Sequence, residues 1–147
     1  MDTEKIIETI TNIFAGADER NWDKVKNSFA DKVLLDYSSM NGSPAVVLSS
    51  ADIIAAWKCF LPGFDLTHHQ VSQFRVDEME GVTKSHFFGK ADHFINNDSW
   101  TVEGTYDVEL ITSADGLKVN KFRFNLQKQS GDTGLPQRAV EICKPEQ

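Results

Sequence analysis

The side chain with the clearest potential for acid–base chemistry near the start of the sequence is Asp18. It continues the row of apolar residues formed by Ile10 and Phe14, because positions four apart lie on one face of a helix. If this apolar face is buried, the carboxylate needs a partner, since an isolated buried charge costs several kcal/mol or takes up a proton. In the alternative interpretation, Asp18 ends the helix in water beside Glu19 and Arg20.

A histidine pair, His68 and His69, follows Thr67 at the head of a predicted strand. Neighbouring strand residues point to opposite faces, so at most one of these imidazoles can enter a cavity. His69 shares its face with Val71 and His68 shares its face with Phe74, so the alternation leaves the choice open and predicts a bulge or a change of face. An imidazole is a suitable general base near neutral pH; the competing interpretation is an ordinary surface or core histidine.

Three further polar side chains are candidates for the same cavity. His93 shares its strand face with uncharged residues, whereas the opposite face carries lysines and His86, so His93 is predicted to face inward. Tyr37 follows a run of apolar residues, and Tyr106 faces inward by alternation. Either tyrosine can donate a phenolic hydrogen bond to a ligand, or can fill the core with its hydroxyl bonded locally.

Metal and cofactor chemistry have little support in the sequence. Histidines and one aspartate could in principle bind zinc, but there is no HExxH motif and no cysteine pair at ligand spacing. A glycine-rich phosphate loop and a Gly-x-Ser-x-Gly nucleophile motif are also missing from the sequence. We therefore expect no cofactor and no metal.

The composition is that of one globular domain. The 147 residues are 40% hydrophobic and 25% charged, which predicts a single domain over 1–147 with its core at about 3–128. The net charge of −7 argues against nucleic acid or an anionic membrane as a partner. The sequence has neither an apolar run of about 20 residues nor a signal peptide, so we expect a cytoplasmic protein.

The spacing of apolar residues predicts helices in the first half and strands in the second. A helix is predicted over 4–17 with Thr3 as N-cap, and two more follow the caps Asn21 and Ser49. One short strand is predicted over 33–37, and four long strands over about 66–77, 82–95, 99–112 and 117–128.

This order of elements predicts an α+β fold in which three helices from the first half close a curved antiparallel sheet. Such long strands twist into a cone whose interior is a ligand pocket. The aromatic residues expected to line the pocket are Phe14, Trp57, Phe87, Trp100 and Tyr106. The segment 130–147 either covers the pocket mouth or frays.

The chain resembles the SnoaL-like group of the nuclear transport factor two-like superfamily. The resemblance covers about 3–128 and rests on short motifs at 17–23 (Ala-Asp-Glu-Arg-Asn-Trp-Asp), 29–31, 35–37 and 67–69, and on the strand 100–110 with Gly104-x-Tyr106. It implies a cone-shaped α+β fold, a small apolar or polycyclic aromatic ligand, and a homodimer formed through the outer face of the sheet.

The resemblance also implies roles for four residues. Dehydratases and dehydrochlorinases of this superfamily pair an aspartate on the first helix with a histidine on the first long strand, positions that match Asp18 and His69. Tyr37 and His93 look like the pocket tyrosine and second histidine of the dehydratase, which polarise a carbonyl or hold a water. The chain departs from these relatives at Ala17, where the dehydratase has tyrosine, so the substrate is expected to differ.

The resulting hypothesis is a cofactor-independent lyase or isomerase acting on a small, largely apolar substrate with a carbonyl group. His69 would remove a proton, Asp18 would support it, and Tyr37 or His93 would stabilise the oxyanion. The alternative is a non-catalytic module of the same fold that binds a small ligand or serves as an accessory subunit.

Overall fold

The computed structural model describes residues 2–144, and the last residues of the predicted tail, 145–147, lie outside them. The helices are α1 (Thr3–Glu19), α2 (Trp22–Lys26), α3 (Ser38–Asn41), α4 (Ser50–Lys58) and α5 (Leu135–Cys143). The strands are β1 (Phe29–Asp36), β2 (Val46–Ser49), β3 (Leu66–Met79), β4 (Val82–Ile95), β5 (Asp98–Ser113) and β6 (Gly116–Gly131). A 3₁₀ turn, Leu61–Gly63, connects α4 to β3.

Six strands form one sheet in the order β2-β1-β6-β5-β4-β3. The four long strands make the predicted antiparallel meander, and β1 and β2 extend it. One pair of strands departs from the antiparallel pattern, because β1 runs parallel to β6. No tight turn connects these two strands, so turn geometry does not fix their relative direction.

Helix α1 covers the inner face of the sheet with the predicted apolar stripe. Ile10 and Ile13 are fully buried, and Phe14 is 5% exposed. The helix begins one residue earlier than predicted, since Asp2 is its N-cap in place of Thr3 and accepts a hydrogen bond from the Lys5 amide. Asn21 and Ser49 cap α2 and α4 as predicted.

A bulge in β3 explains the conflicting alternation around the histidine pair. The register between β3 and β4 shifts between Ser72 and Arg75, and Gln73 has a left-handed φ of 59°. Residues of odd number therefore face inward before the bulge, and residues of even number after it. Val71 and Phe74 consequently pack against the same core.

The C-terminal segment forms a helix that the sequence pattern did not predict. Helix α5 packs on the Leu61–Gly63 turn, with Leu135 and Ala139 fully buried. Gly63 permits this contact, because a Cβ there would clash with the Ala139 backbone. Within residues 2–144, no helix is long and apolar enough to cross a membrane.

Candidate active site

Asp18 and His69 meet at the inner face of the sheet, where the end of α1 crosses the start of β3. The carboxylate Oδ1 lies 2.6 Å from Nδ1 of His69, and Oδ2 accepts the backbone amide of His69 at 2.7 Å. The side chains are only 18% and 14% exposed, respectively. The interpretation of Asp18 as a solvated helix end is therefore excluded in this structure.

The Asp18 carboxylate is ionised and fixes the tautomer of the imidazole. Burial acts to raise the pKa of Asp18, but the hydrogen bonds that it accepts from the ring and backbone of His69 and from Thr67 hold the pKa below its ordinary value. An ionised carboxylate can only accept, so Nδ1 of His69 donates to it. The other ring nitrogen, Nε2, is left with a lone pair that can take a proton.

Arg20 and Thr67 form a second layer behind this pair. The Arg20 guanidinium donates to the carbonyls of Ala17 and Leu61 and to the Thr67 hydroxyl, with distances of 2.8, 2.8 and 2.9 Å. Because arginine only donates, the Thr67 hydroxyl must send its own hydrogen to Asp18, whose Oδ1 lies 3.0 Å away. Thr67 therefore helps to orient the carboxylate through Oδ1, the same oxygen that contacts the His69 ring.

His93 lies beside the pair, with its ring centroid 5.9 Å from that of His69. Burial lowers the pKa of His93 to about 4, so its imidazole is neutral near pH 7. Its Nδ1 lies 3.0 Å from the Trp100 carbonyl and must be the nitrogen that carries the hydrogen. His93 therefore presents Nε2 as an acceptor, which suits a water or substrate hydroxyl and does not suit an oxyanion.

Tyr37 and Tyr106 both line the same cavity as the two histidines. Burial raises the pKa of each, so both phenols keep their hydrogen and remain donors. Tyr106 stacks on Phe87 at 5.0 Å between ring centroids, and Gly89 makes room for it, because a Cβ at position 89 would clash with the Tyr106 ring. Tyr37 is half-buried and packs against Phe122 at 6.1 Å.

The cavity has a volume of about 460 Å³, a size suited to a small organic ligand. Of the five aromatic residues predicted to line it, four do: Phe14, Trp57, Trp100 and Tyr106. Phe87 is fully buried behind Tyr106, where it fills the core between Tyr106 and Phe74. The predicted catalytic residues His69, His93 and Tyr37 line the cavity, and Asp18 supports His69 from behind.

Several residues of the site were not singled out from the sequence. Thr67 and Arg20 lie in the short motifs at 67–69 and 17–23, but the hydrogen bond between them joins residues 47 positions apart and leaves no local pattern. The rim residues Asn41 and Gln129 lie in segments with no chemical pattern of their own. Alternation from Phe122 and Phe124 would have placed Gln129 on the outer face; a register shift just after Leu126 brings it opposite Val102 on the inner face.

A second aspartate–histidine pair lies on the outer face of the sheet. His86, which was predicted to face outward, has Nδ1 2.6 Å from Oδ1 of Asp107. These two side chains are 40% and 51% exposed, and neither lines the aromatic cavity. The pair therefore offers a matched control for the buried one.

For residues 2–144, no group of three or more potential ligands could hold a metal ion.

The arrangement of helices, curved sheet and cavity can now be compared with known proteins. A model of the SnoaL-like domain matches residues 1–123. The chain belongs to the SnoaL-like family. This confirms the resemblance drawn from the short motifs and the α+β fold expected from it. No curated protein matches the sequence significantly.

Solved structures show the same fold for this SnoaL-like chain. The Kfla4162 protein from Kribbella flavida is 24% identical, with a TM-score of 0.84 over 94% of this chain and 96% of the other. Hexachlorocyclohexane dehydrochlorinase from Novosphingobium barchaimii is 13% identical, with a TM-score of 0.68 over 88% of each. The β subunit of benzoate 1,2-dioxygenase from Burkholderia mallei is 14% identical, with a TM-score of 0.71 over 86% and 91%.

Proposed function

We propose that the protein is a cofactor-independent lyase or isomerase that removes a proton next to a carbonyl group in a small, apolar, aromatic substrate. The observation that carries the proposal is the buried Asp18–His69 pair at the wall of an aromatic cavity. An imidazole hydrogen-bonded to an ionised carboxylate is suited to general base catalysis, which contributes roughly 10²–10⁴-fold to a rate.

In the proposed step, Nε2 of His69 takes the proton and the carbon–hydrogen electron pair moves into the carbonyl, giving an enolate. The imidazolium that forms is stabilised by Asp18, whose hydrogen bond to Nδ1 becomes charge-assisted. The enolate then either expels a leaving group from the neighbouring carbon, as in a lyase, or is protonated at another carbon, as in an isomerase. Neither route requires a redox change.

We assign stabilisation of the enolate oxygen to Tyr37. Its phenol remains protonated because burial raises its pKa, and it lies half-buried at the cavity wall. His93 takes a different role, since its acceptor Nε2 can hold a water or a hydroxyl group of the bound substrate. Hydrogen bonds of this kind are stronger in a cavity from which water is excluded.

The proposal is tested by hydrogen exchange on a panel of cyclic aryl ketones such as 2-tetralone. In deuterium oxide, NMR would follow deuterium entering the carbon next to the carbonyl. We expect the protein to accelerate exchange on at least one of these ketones, and Asp18→Asn and His69→Ala to abolish the acceleration. The matched controls Asp107→Asn and His86→Ala should leave it unchanged. Folded Asp18→Asn and His69→Ala variants with full activity would eliminate the mechanism.

The alternative function, a non-catalytic binding module, is favoured by the cavity walls themselves. They are largely aromatic and apolar, and they can hold a ring compound without any chemistry. Such a module would bind these ketones, as measured by calorimetry, without accelerating deuterium incorporation. Binding and exchange in the same samples therefore separate the two functions.

A homodimer formed through the outer face of the sheet belongs to the same proposal. That face carries a groove in which acidic and basic side chains alternate across neighbouring strands: Asp36, Arg75, Asp77, Lys84, Asp107, Glu109, Lys121 and Arg123. A surface with both charges is suited to pairing with a second copy of itself. Light scattering during gel filtration would measure the mass, and a monomer at micromolar concentration would contradict the expectation.

A further inference from the structure

The rim of the aromatic cavity carries two carboxamide side chains, Gln129 on β6 and Asn41 at the end of α3. They belong to different elements, yet both are exposed at the opening and both line the same cavity. The proposed proton abstraction uses neither of them. What a carboxamide offers a ligand depends on which of its two ends the protein already occupies.

The oxygen of Gln129 is occupied by Trp100. The indole Nε1 donates to Oε1 of Gln129 at 2.9 Å, and an indole nitrogen can only donate, so this assignment of the amide ends is fixed chemically. Trp100 is 3% exposed and stacks with the ring of His93, with 4.4 Å between centroids. Gln129 is thereby anchored, and its NH₂ group is left as a donor at the rim.

Asn41 repeats this arrangement. Its Oδ1 accepts the backbone amide of Ser43 at 2.9 Å, which again leaves the NH₂ group as the free end. Helix α3 is held against β6 by Ser39, whose hydroxyl donates to the Phe124 carbonyl and accepts from the Leu126 amide. Two donors therefore stand at one opening, and within residues 2–144 no charged side chain lines the cavity.

One row of paired residues connects this rim to the catalytic pair. His69 pairs with Ala91, Ala91 with Val102, and Val102 with Gln129, and all four residues line the cavity. The row crosses four strands, or three interstrand spacings, which is roughly 14 Å between its end Cα atoms. The two small central residues leave a floor on which a flat ring system can lie between the imidazole and the amide.

We infer that Gln129 and Asn41 form a subsite for a neutral hydrogen-bond acceptor on the substrate, such as a ketone, quinone or ester oxygen at the end of a ring system remote from the reacting carbon. A substrate oxygen at the rim can accept a hydrogen bond from these donors while the other end of the rings reaches His69. A neutral acceptor fits because no lysine or arginine of the described chain lines the cavity to pair with an anion. The inference rests on the proposed function only in naming His69 as the reacting end.

The experiment compares two probes of similar shape, 2-acetylnaphthalene and 2-ethylnaphthalene, of which only the first carries a carbonyl oxygen. Their dissociation constants are measured by quenching of tryptophan emission, since Trp57 and Trp100 line the cavity. We expect the wild-type protein to bind the ketone about fivefold more tightly per hydrogen bond formed. Equal affinity for the two probes would overturn the inference.

The decisive variants are Gln129→Glu and Asn41→Asp. Each keeps the oxygen that the protein uses and replaces only the NH₂ donor, so Trp100 and the Ser43 amide stay bonded. The double variant should lose the preference for the ketone while its affinity for 2-ethylnaphthalene changes less than about twofold. Gln127→Glu and Asn97→Asp make the same charge changes away from the cavity and should keep the preference.

A preference that survives the double variant would overturn the inference, because the ketone oxygen would then be bound elsewhere, as by Tyr37. Thermal denaturation checks that the variants fold, and Asn41→Asp alone carries the test if Gln129→Glu is unstable. Asp18→Asn should keep the ketone preference while losing exchange activity. Failure of the subsite and failure of the proton abstraction are therefore distinguishable.

Discussion

Asp18 accepts two hydrogen bonds from His69: Oδ1 lies 2.6 Å from the ring Nδ1, and Oδ2 accepts the backbone amide at 2.7 Å. The first contact sets the tautomer and rotation of the ring, and the second fixes the strand that carries it. A carboxylate bonded to both ring and backbone leaves the imidazole little freedom to turn. The orientation of Nε2 toward the cavity is thus built into the junction of α1 and β3.

We expect Asp18→Asn to keep the fold and lower the rate of proton abstraction by roughly 10²–10⁴-fold. The amide can still accept from the His69 backbone, but it cannot stabilise an imidazolium ion. Deuterium incorporation into cyclic ketones measures the rate, and circular dichroism checks the fold. Asp107→Asn, in the exposed pair with His86, is the matched control and should keep the full rate.

Thr67 should be a positioning residue for Asp18. Thr67→Val removes the hydroxyl that donates to Asp18 and accepts from Arg20, and it leaves both partners short of a hydrogen bond in a partly buried site. We expect a loss of stability of about 1–3 kcal/mol and a lower kcat with little change in KM. Thr67→Ser restores the hydroxyl and should recover most of the rate. A kcat unchanged in Thr67→Val would contradict the positioning role.

His93 should make the protein sensitive to mild acid. Burial lowers its pKa from 6.5 to about 4. Between these pH values His93 therefore binds a proton in the unfolded chain but stays neutral in the folded protein. This contribution to stability is fully present above about pH 6.5 and is lost as the pH falls toward 4, which amounts to about 3 kcal/mol. Urea unfolding at several pH values measures it.

The matched comparison for that measurement is His93→Phe against His86→Phe. His93→Phe keeps an aromatic ring between Phe64 and Trp100 but cannot be protonated. We expect the slope of stability against pH between 6.5 and 4 to flatten in His93→Phe and to persist in His86→Phe, whose histidine is exposed. An unaltered slope in His93→Phe would mean that other groups cause the acid sensitivity.

The Asp18–His69 contact could be anticipated from the sequence because both partners lie in local patterns. Asp18 ends a helical row, and His69 lies near the start of a strand whose alternation was ambiguous, so the resemblance to a family was needed to choose it over His68. The bulge at Gln73 could be inferred, because it leaves a break in the alternation of β3. Helix caps at Asn21 and Ser49 could be predicted for the same reason, since a cap acts over three residues.

Features that depend on distant parts of the chain could not be predicted in this way. The parallel pairing of β1 with β6 and the packing of α5 on the turn at Gly63 join segments with no local signal of contact. Phe87 was expected to line the cavity because the alternation of β4 correctly places it on the inner face of the sheet. An inward-facing side chain can still be separated from the cavity by another ring. Tyr106 covers it, and only the three-dimensional packing shows this.

Tyr37 should be the donor to the enolate oxygen, and the two cavity tyrosines allow a direct comparison. Tyr37 is half-buried, whereas Tyr106 is 7% exposed and packed against Phe87 and Phe124. Removing one oxyanion donor lowers kcat by roughly 10²–10³-fold, so we expect a loss of that size for Tyr37→Phe with little change in KM. Tyr106→Phe keeps the packed ring and should lower kcat by less than about tenfold. Steady-state deuterium exchange on the best ketone measures both variants, and thermal denaturation confirms that they fold. A larger loss in Tyr106→Phe than in Tyr37→Phe would transfer the donor role to Tyr106.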